Sequence, residues 1–185
     1  MKFLYYWFPC FNVAESNEIV SQLEDIHHNH PNNLKDVPAG GKKVSEVKVI
    51  STELFPKIMD RFFSKVEDVN DENFGFKLFK KTPNVAHLNY YSAKNLSEYP
   101  YHIDMANPGT CHDMKLTAII NLSRQNYKGG QFQFMFHEGG PTIVEELDNI
   151  GNVIVFPSFF LHKVTPVVEG ERISLSIWFF GPNWK

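Results

Sequence analysis

The chain has 185 residues, which is enough for one domain with a sizeable core and too short for two comfortable domains. Its net charge is −3 and it contains no basic block, which argues against the broad phosphate contacts of a nucleic-acid-binding protein. Aromatic residues make up 15% of the chain and favour strands, and no apolar run approaches the length of a membrane span.

The two cysteines, Cys10 and Cys111, are far apart in sequence and imply no disulfide framework. A reducing cytoplasm is therefore the predicted location. The short aromatic run at residues 3–8 ends at Pro9 and lacks a small-residue cleavage site. We interpret this run as a buried first strand rather than a signal peptide.

A first amphipathic helix is predicted after this strand. Asn12 and Glu15 have the spacing of a capping box, and Ser16 is an alternative cap. Apolar residues then follow helical spacing as far as Ile26, which gives the helix one face to pack. The polar stretch 27–43 is interpreted as a loop.

A second helix follows a short predicted strand at residues 44–50. Paired apolar residues recur from Leu54 to Val66 and form a wide stripe along one face. Pro56 is expected in the first turn, because a proline deeper inside would break the helix. Two helices with one apolar face each require a sheet to pack against.

From residue 73 onward the apolar pattern has the period of strands, interrupted by glycine-containing turns. Such a series predicts a mainly β protein with some helix, a double-stranded β-helix (jelly roll) backed by the N-terminal helices. We expect a single domain over residues 1–185, with support from 1–72 and a jelly-roll core at 73–185. The predicted strands are 74–79, 85–91, 99–105, 116–122, 131–136, 142–147, 152–156, 163–167 and 173–180.

The last predicted strand has two different faces. Ile173 to Phe179 place every second, apolar residue on a face that suits packing under the helices. The opposite face carries Arg172, Ser174, Ser176 and Trp178. It would line the interior of the barrel and place a permanent positive charge there.

His102 and Asp104 are the first candidate metal ligands. Residues at i and i+2 of an extended strand emerge on one side, so an imidazole and a carboxylate face one point. His162, from a distant strand, would complete a set of two histidines and one carboxylate. That set, with open positions, is typical of non-haem Fe(II) oxygenases.

Arg172 is the candidate anchor for a cosubstrate. Its guanidinium fits a carboxylate with two parallel hydrogen bonds, so it suits the far carboxylate of a dicarboxylate 2-oxo acid. Ser174, on the same face, could add a hydroxyl donor. An ordinary internal ion pair of Arg172 with an Asp or Glu is the alternative interpretation.

Seven motifs in chain order resemble the prolyl 4-hydroxylase type of Fe(II)/2-oxoglutarate dioxygenases, and the resemblance covers essentially the whole chain. A single HxD motif is weak, whereas the ordered set is strong. The motifs are Asn89-Tyr90-Tyr91, Tyr101-His102-Ile103-Asp104, Lys115-Leu116-Thr117, Tyr127-Lys128-Gly129-Gly130, Gly151-Asn152-Val153-Ile154-Val155-Phe156-Pro157, Leu161-His162-Lys163-Val164 and Glu171-Arg172-Ile173-Ser174.

The resemblance implies Fe(II) on His102, Asp104 and His162, and 2-oxoglutarate on Arg172, with O2 as the other cosubstrate. It also implies a tyrosine that hydrogen-bonds the cosubstrate, for which Tyr91 is the best match and Tyr90 the alternative. The implied reaction hydroxylates an unactivated C–H, with a prolyl or similar residue of a peptide, protein or small molecule as substrate, and releases succinate and carbon dioxide.

Two departures from the family pattern affect the substrate entrance and the substrate class. The interval 92–98 lacks the glycine that the family usually has there. Trp178 stands where the nucleic-acid demethylase branch has a second arginine. Two alternatives stay open: a non-catalytic jelly-roll binding module, and a metal-dependent cupin that uses no 2-oxo acid. The oligomeric state is not predicted.

Overall fold

The computed structural model describes residues 4–24, 43–80, 83–105, 110–136 and 139–184. Its two helices are α1 (Val13–Glu24) and α2 (Pro56–Val69). Its strands are β1 (Tyr6–Pro9), β2 (Glu46–Ser51), β3 (Val85–Ser92), β4 (Tyr99–His102), β5 (His112–Asn121), β6 (Lys128–Gly129), β7 (Phe132–Phe134), β8 (Thr142–Ile143), β9 (Asn152–Pro157), β10 (His162–Val164), β11 (Val167–Glu169) and β12 (Glu171–Pro182).

A six-stranded antiparallel sheet forms the main layer, in the order β1-β9-β5-β12-β3-β2. A four-stranded sheet, β4-β10-β7-β8, lies opposite it, and β6 pairs with β11. The long strand β12 pairs with β3 on one side and β5 on the other. This arrangement confirms the predicted jelly roll, and β1 and β2 extend its larger sheet.

Both helices contribute to one apolar layer against the six-stranded sheet. Their buried side chains, such as Leu23 of α1 and Phe62 of α2, share a core cluster with Leu175 of β12. The rings of Phe62 and Phe179 lie 6.2 Å apart between their centroids. The predicted apolar face of the last strand therefore packs under the helices, as expected.

The helix starts agree with their sequence signals. The Glu15 N–H donates to the Asn12 side chain at 2.9 Å, and the Asn12 N–H donates to Glu15 at 3.0 Å, which confirms the capping box. Pro56 occupies the first turn of α2. Leu54 lies instead in a 3-10 turn before α2 and is exposed. Ile26 and the predicted loop 27–43, apart from Lys43, lie outside the described residues.

The strand predicted at 74–79 is wrong. A π-helical turn, Asn70–Phe74, continues α2 and ends at Gly75 in the left-handed conformation. The Asn70 side chain then bonds both backbone groups of Phe76, so Phe76 has a local partner instead of a sheet neighbour. Phe74 and Phe76 still pack in the helix-side core.

Four other predicted strands are shorter than expected, and two of them, 99–105 and 131–136, form only β4 and β7. The segment 142–147 forms only β8 before a 3-10 turn at Glu145–Asp148. The segment 163–167 is interrupted at Thr165 and Pro166, since proline has no N–H to donate to a ladder. No helix among the described residues is long and apolar enough to cross a membrane.

Candidate active site

The two sheets bring His102, Asp104 and His162 together. His162 begins β10 and lies opposite His102, the last residue of β4, in the antiparallel register. One potential ligand atom from each of the three residues lies within 4.8 Å of the others. Asp104 Oδ1 is 3.6 Å from His102 Nε2, and Asp104 Oδ2 is 3.8 Å from His162 Nε2. The three side chains surround one point.

Both histidines are oriented by backbone carbonyls two residues earlier. His102 Nδ1 lies 2.8 Å from the Pro100 oxygen, and His162 Nδ1 lies 2.7 Å from the Phe160 oxygen. A carbonyl only accepts, so each Nδ1 carries the proton and each Nε2 lone pair faces the shared point. Burial lowers the pKa of both imidazoles, which favours the neutral form that binds metals.

Asp104 is fixed through both its backbone and its carboxylate. Its N–H donates to the Ser158 carbonyl at 2.9 Å. The Thr117 hydroxyl donates to Asp104 Oδ2 at 2.7 Å, and the Ser158 hydroxyl lies 3.0 Å from that of Thr117. Such partners hold a carboxylate in one orientation toward a metal. The motif Lys115-Leu116-Thr117 includes this residue, but the sequence pattern predicts no role for its hydroxyl.

The rings around the site pack the histidines into place. The Tyr99 ring stacks on His102 with centroids 3.5 Å apart. Phe156 packs edge-on against His162 at 4.9 Å, and Phe132 stacks on it at 5.4 Å. This aromatic shell restricts ring rotation and excludes water from one side of the site.

Arg172 lies in the same cavity and is 1% exposed. Its Nη1 donates to Ser174 Oγ at 3.0 Å, whereas its Nη2 is buried without a hydrogen-bond partner. Among the described residues, no carboxylate lies within ion-pair distance of the guanidinium. A buried cation is costly without an opposite charge, so this arrangement suits an anionic ligand better than the internal ion pair.

The adjacent tyrosines Tyr90 and Tyr91 point to opposite faces of β3. Tyr91 lines the cavity, and its ring lies 5.4 Å from the Arg172 guanidinium carbon. Tyr90 packs instead against the helix-side core. Burial raises the pKa of the Tyr91 hydroxyl, so it stays protonated and can donate a hydrogen bond. The geometry therefore favours Tyr91 over Tyr90 as the cosubstrate tyrosine.

The cavity has a volume of about 490 Å³ and is lined by both sheets. Its volume falls in the range of small-molecule sites. The cavity lining includes His102, Asp104, His162 and Arg172. Lys43, the last residue of the predicted loop 27–43, also lines it. No local sequence pattern indicates Lys43 as a site residue, because it forms no recognisable motif with the neighbouring residues 42 and 44.

Comparison with known proteins agrees with this geometry. Residues 86–180, just over half of the chain, match the family described as "2OG-Fe(II) oxygenase superfamily". The chain belongs to this superfamily. The matched segment begins in β3 and ends in β12, and it contains the three candidate ligands and Arg172. The resemblance to Fe(II)/2-oxoglutarate dioxygenases is thereby confirmed.

Individual relatives within this 2OG-Fe(II) oxygenase superfamily are similar over part or all of the chain. A PKHD-type hydroxylase of Shewanella baltica is 36% identical over 84 residues, which are 43% of this chain and 36% of that protein. The chain thus spans about a third of the length of this curated relative.

Two solved structures share the fold over nearly the whole chain. A 2OG-Fe(II) oxygenase family oxidoreductase of Burkholderia pseudomallei has a TM-score of 0.70 at 20% identity, with 96% of this chain and 85% of that chain covered. The viral collagen prolyl hydroxylase of Paramecium Bursaria Chlorella virus-1 has a TM-score of 0.69 at 15% identity, with 97% of both chains covered. These likenesses confirm the jelly-roll fold.

The residues present fit the iron and 2-oxoglutarate that the family name implies. Two neutral imidazoles with free Nε2 atoms and one carboxylate form the donor set that non-haem Fe(II) uses. The orphaned Nη2 of Arg172 is a donor aimed at an absent acceptor. Both features belong to one cavity.

Proposed function

We propose that this protein is an Fe(II)- and 2-oxoglutarate-dependent dioxygenase that hydroxylates an unactivated C–H and releases succinate and carbon dioxide. One observation carries the proposal. Two histidines and an aspartate converge in the cavity that also holds Arg172, whose Nη2 is buried without a hydrogen-bond partner among the described residues. A non-catalytic module has no need for either feature, and a cupin without a 2-oxo acid has no need for Arg172.

In this proposal, His102, Asp104 and His162 hold Fe(II), while Thr117 and the two backbone carbonyls keep the ligands oriented. Arg172 binds the far carboxylate of 2-oxoglutarate, helped by the hydroxyls of Ser174 and Tyr91. When bound, the metal and cosubstrate supply the activation of oxygen, which no protein side chain can perform. The protein positions both and limits the access of water.

A prolyl or similar residue is the proposed target. Ile103 and Met105 flank Asp104, line the cavity and are 40% and 64% exposed. Their apolar side chains would suit a pyrrolidine ring placed beside the metal. The name of one structural neighbour, a collagen prolyl hydroxylase, supports a peptide or protein substrate.

Nucleic acid and membranes are not proposed as partners. The net charge is −3, and Trp178, not a second arginine, lines the cavity beyond Arg172. A cytoplasmic location also stays a prediction, supported by the unpaired thiols of Cys10 and Cys111. We further propose that residues 1–185 act as one domain, with β1, α1, β2 and α2 as support for the jelly-roll core.

The test is a turnover assay with Fe(II), 2-oxoglutarate and O2 on prolyl peptides and free amino acids. We expect substrate-dependent succinate release and a gain of one oxygen atom in the mass of the product. Asp104→Ala is the matched negative control, because it removes one ligand. Wild-type succinate release no higher than that of Asp104→Ala, with and without every substrate tested, would contradict the proposal.

A further inference from the structure

A lysine from outside the matched segment reaches the candidate active site. Lys43 lies just before β2, where Val44 and Glu98 exchange two backbone hydrogen bonds of 2.9 and 3.1 Å. This pairing fixes the Lys43 backbone beside the start of β4. Its side chain then extends into the cavity that holds Arg172 and the three candidate ligands.

The Lys43 ammonium has polar and aromatic neighbours, and the charge of Asp104 attracts it only from beyond ion-pair distance. The ammonium donates a hydrogen bond to the Asn89 side-chain oxygen. It also lies 5.0 Å from the Tyr99 ring centroid and 5.8 Å from that of Tyr91. In the part of the chain that the structure describes, no carboxylate lies within ion-pair distance of it. Burial lowers the pKa of Lys43 to about 7, since desolvation and the charge of Arg172 together outweigh the attraction of Asp104.

The neighbours of Lys43 place it between the candidate metal ligands and Arg172. Tyr99 stacks on His102, and Tyr91 lies beside Arg172. Asn89 lies opposite Ser174 in the register of β3 and β12, and Tyr91 lies opposite Arg172. The Arg172 guanidinium and the Lys43 ammonium both lie within 6 Å of the Tyr91 ring centroid.

The positive charges of Lys43 and Arg172 repel each other. Among the described side chains neither has a carboxylate within ion-pair distance, and Asp104 attracts Lys43, and Asp148 attracts Arg172, only at longer range. A ligand carboxylate bound between the two cations would stabilise both.

We propose that Lys43 is a second cationic anchor for the far carboxylate of 2-oxoglutarate, acting beside Arg172. This inference rests on the proposed function and adds a residue that lies outside the segment 86–180 matched by the family. It also gives the N-terminal segment a direct part in cosubstrate binding. The cavity would accordingly prefer dianionic 2-oxo acids over monoanionic ones.

The test compares two ligands by isothermal titration calorimetry on Mn(II)-loaded protein under anaerobic conditions. 2-Oxoglutarate carries the far carboxylate, whereas 2-oxobutyrate lacks it and keeps the metal-chelating end. A charge-assisted hydrogen bond lost on Lys43→Met should raise the Kd for 2-oxoglutarate roughly tenfold or more. The Kd for 2-oxobutyrate should stay unchanged.

Lys48→Met is the matched control. Lys48 follows on β2, with its ammonium 5.4 Å from the Tyr90 ring centroid and 3.2 Å from the Leu23 carbonyl oxygen, on the helix side of the sheet. It should leave both Kd values unchanged. Lys43→Gln is the second neutral variant if Lys43→Met folds poorly, and the Mn(II) affinity of each variant reports an intact metal site.

Equal 2-oxoglutarate affinity in wild type and the Lys43 variants would overturn the inference, including the case in which only the KM of the prime substrate rises. A parallel loss of 2-oxobutyrate affinity would overturn the assignment to the far carboxylate. A wild-type protein that binds no 2-oxoglutarate would instead remove the proposed function, so the two failures are distinguishable.

Discussion

The two faces of β12 meet different environments within one strand. Toward the helices, Ile173, Leu175, Ile177 and Phe179 are buried in a wholly apolar cluster. Toward the cavity, alternate residues are Arg172, Ser174, Ser176 and Trp178. The helix-side face completes its contacts within the protein, while the cavity face keeps a buried guanidinium nitrogen without a partner.

This difference separates stability from function. Burial of apolar side chains between α2 and the sheet stabilises the fold. The unpaired polar groups of the cavity lower the stability of the free protein, and a ligand with the matching charge recovers that cost. Changes on the helix side should therefore lower the free energy of unfolding without altering binding, whereas changes to the unpaired cavity groups should weaken binding without lowering the free energy of unfolding.

Phe62→Ala should have the largest effect. The Phe62 ring is fully buried between α2 and β12, so its removal should lower the free energy of unfolding by about 3–5 kcal/mol. Chemical denaturation measures this loss, with the exposed Lys65→Ala of the same helix as control. A change in the metal affinity of the folded variant would contradict the view that the helix-side face affects stability and not binding.

Asp104→Ala should remove Fe(II) binding, with a loss of affinity of at least about 100-fold, because even groups that only orient ligands contribute 10- to 100-fold. Anaerobic metal titration measures it. Asp113→Ala is the control, since Asp113 does not line the cavity. Its Oδ2 lies instead 3.8 Å from Lys115 Nζ. Retained Fe(II) affinity in Asp104→Ala would contradict the ligand assignment.

Arg172→Ala should weaken 2-oxoglutarate binding roughly 10- to 100-fold while Fe(II) still binds, because a buried charged hydrogen bond is lost. The free energy of unfolding without ligand should change by no more than about 1 kcal/mol, since the guanidinium has no ion-pair partner to lose. Cosubstrate titration and denaturation check the two parts, with exposed Arg124→Ala as control. Unchanged 2-oxoglutarate affinity would remove Arg172 from the binding site.

Thr117→Val should have the smallest effect, a loss of metal affinity of roughly tenfold. The change keeps the side-chain shape but removes the hydroxyl that donates to Asp104 Oδ2. Thr52→Val is the matched control, because the buried Thr52 hydroxyl donates to the Pro83 carbonyl away from the cavity. Metal titration should separate the two variants, and an equal effect of both would show that Thr117 acts only on the fold.

Sequence reasoning predicted the part of the protein that local rules control. Strand alternation gave both faces of β12, and the capping box placed the start of α1. The spacing of His102 and Asp104 placed them on one side, and an ordered set of motifs added His162 and Arg172. The structure brings these four side chains into one cavity.

The remaining features depend on tertiary context. Phe74, Phe76 and Leu78 alternate as in a strand. However, the Asn70 side chain makes the hydrogen bonds to the Phe76 backbone that a neighbouring strand would otherwise make. Lys43 reaches the cavity only because Val44 pairs with Glu98, 54 positions later in the chain. Neither contact has a local signature in sequence.

The central claim is that one cavity binds Fe(II) through His102, Asp104 and His162 and 2-oxoglutarate through Arg172. Anaerobic addition of Fe(II) and then 2-oxoglutarate to the wild-type protein tests it most directly. The account predicts a metal-to-ligand charge-transfer band that is absent in Asp104→Ala and needs more 2-oxoglutarate in Arg172→Ala. A correctly folded wild-type protein that gives no such band would contradict it.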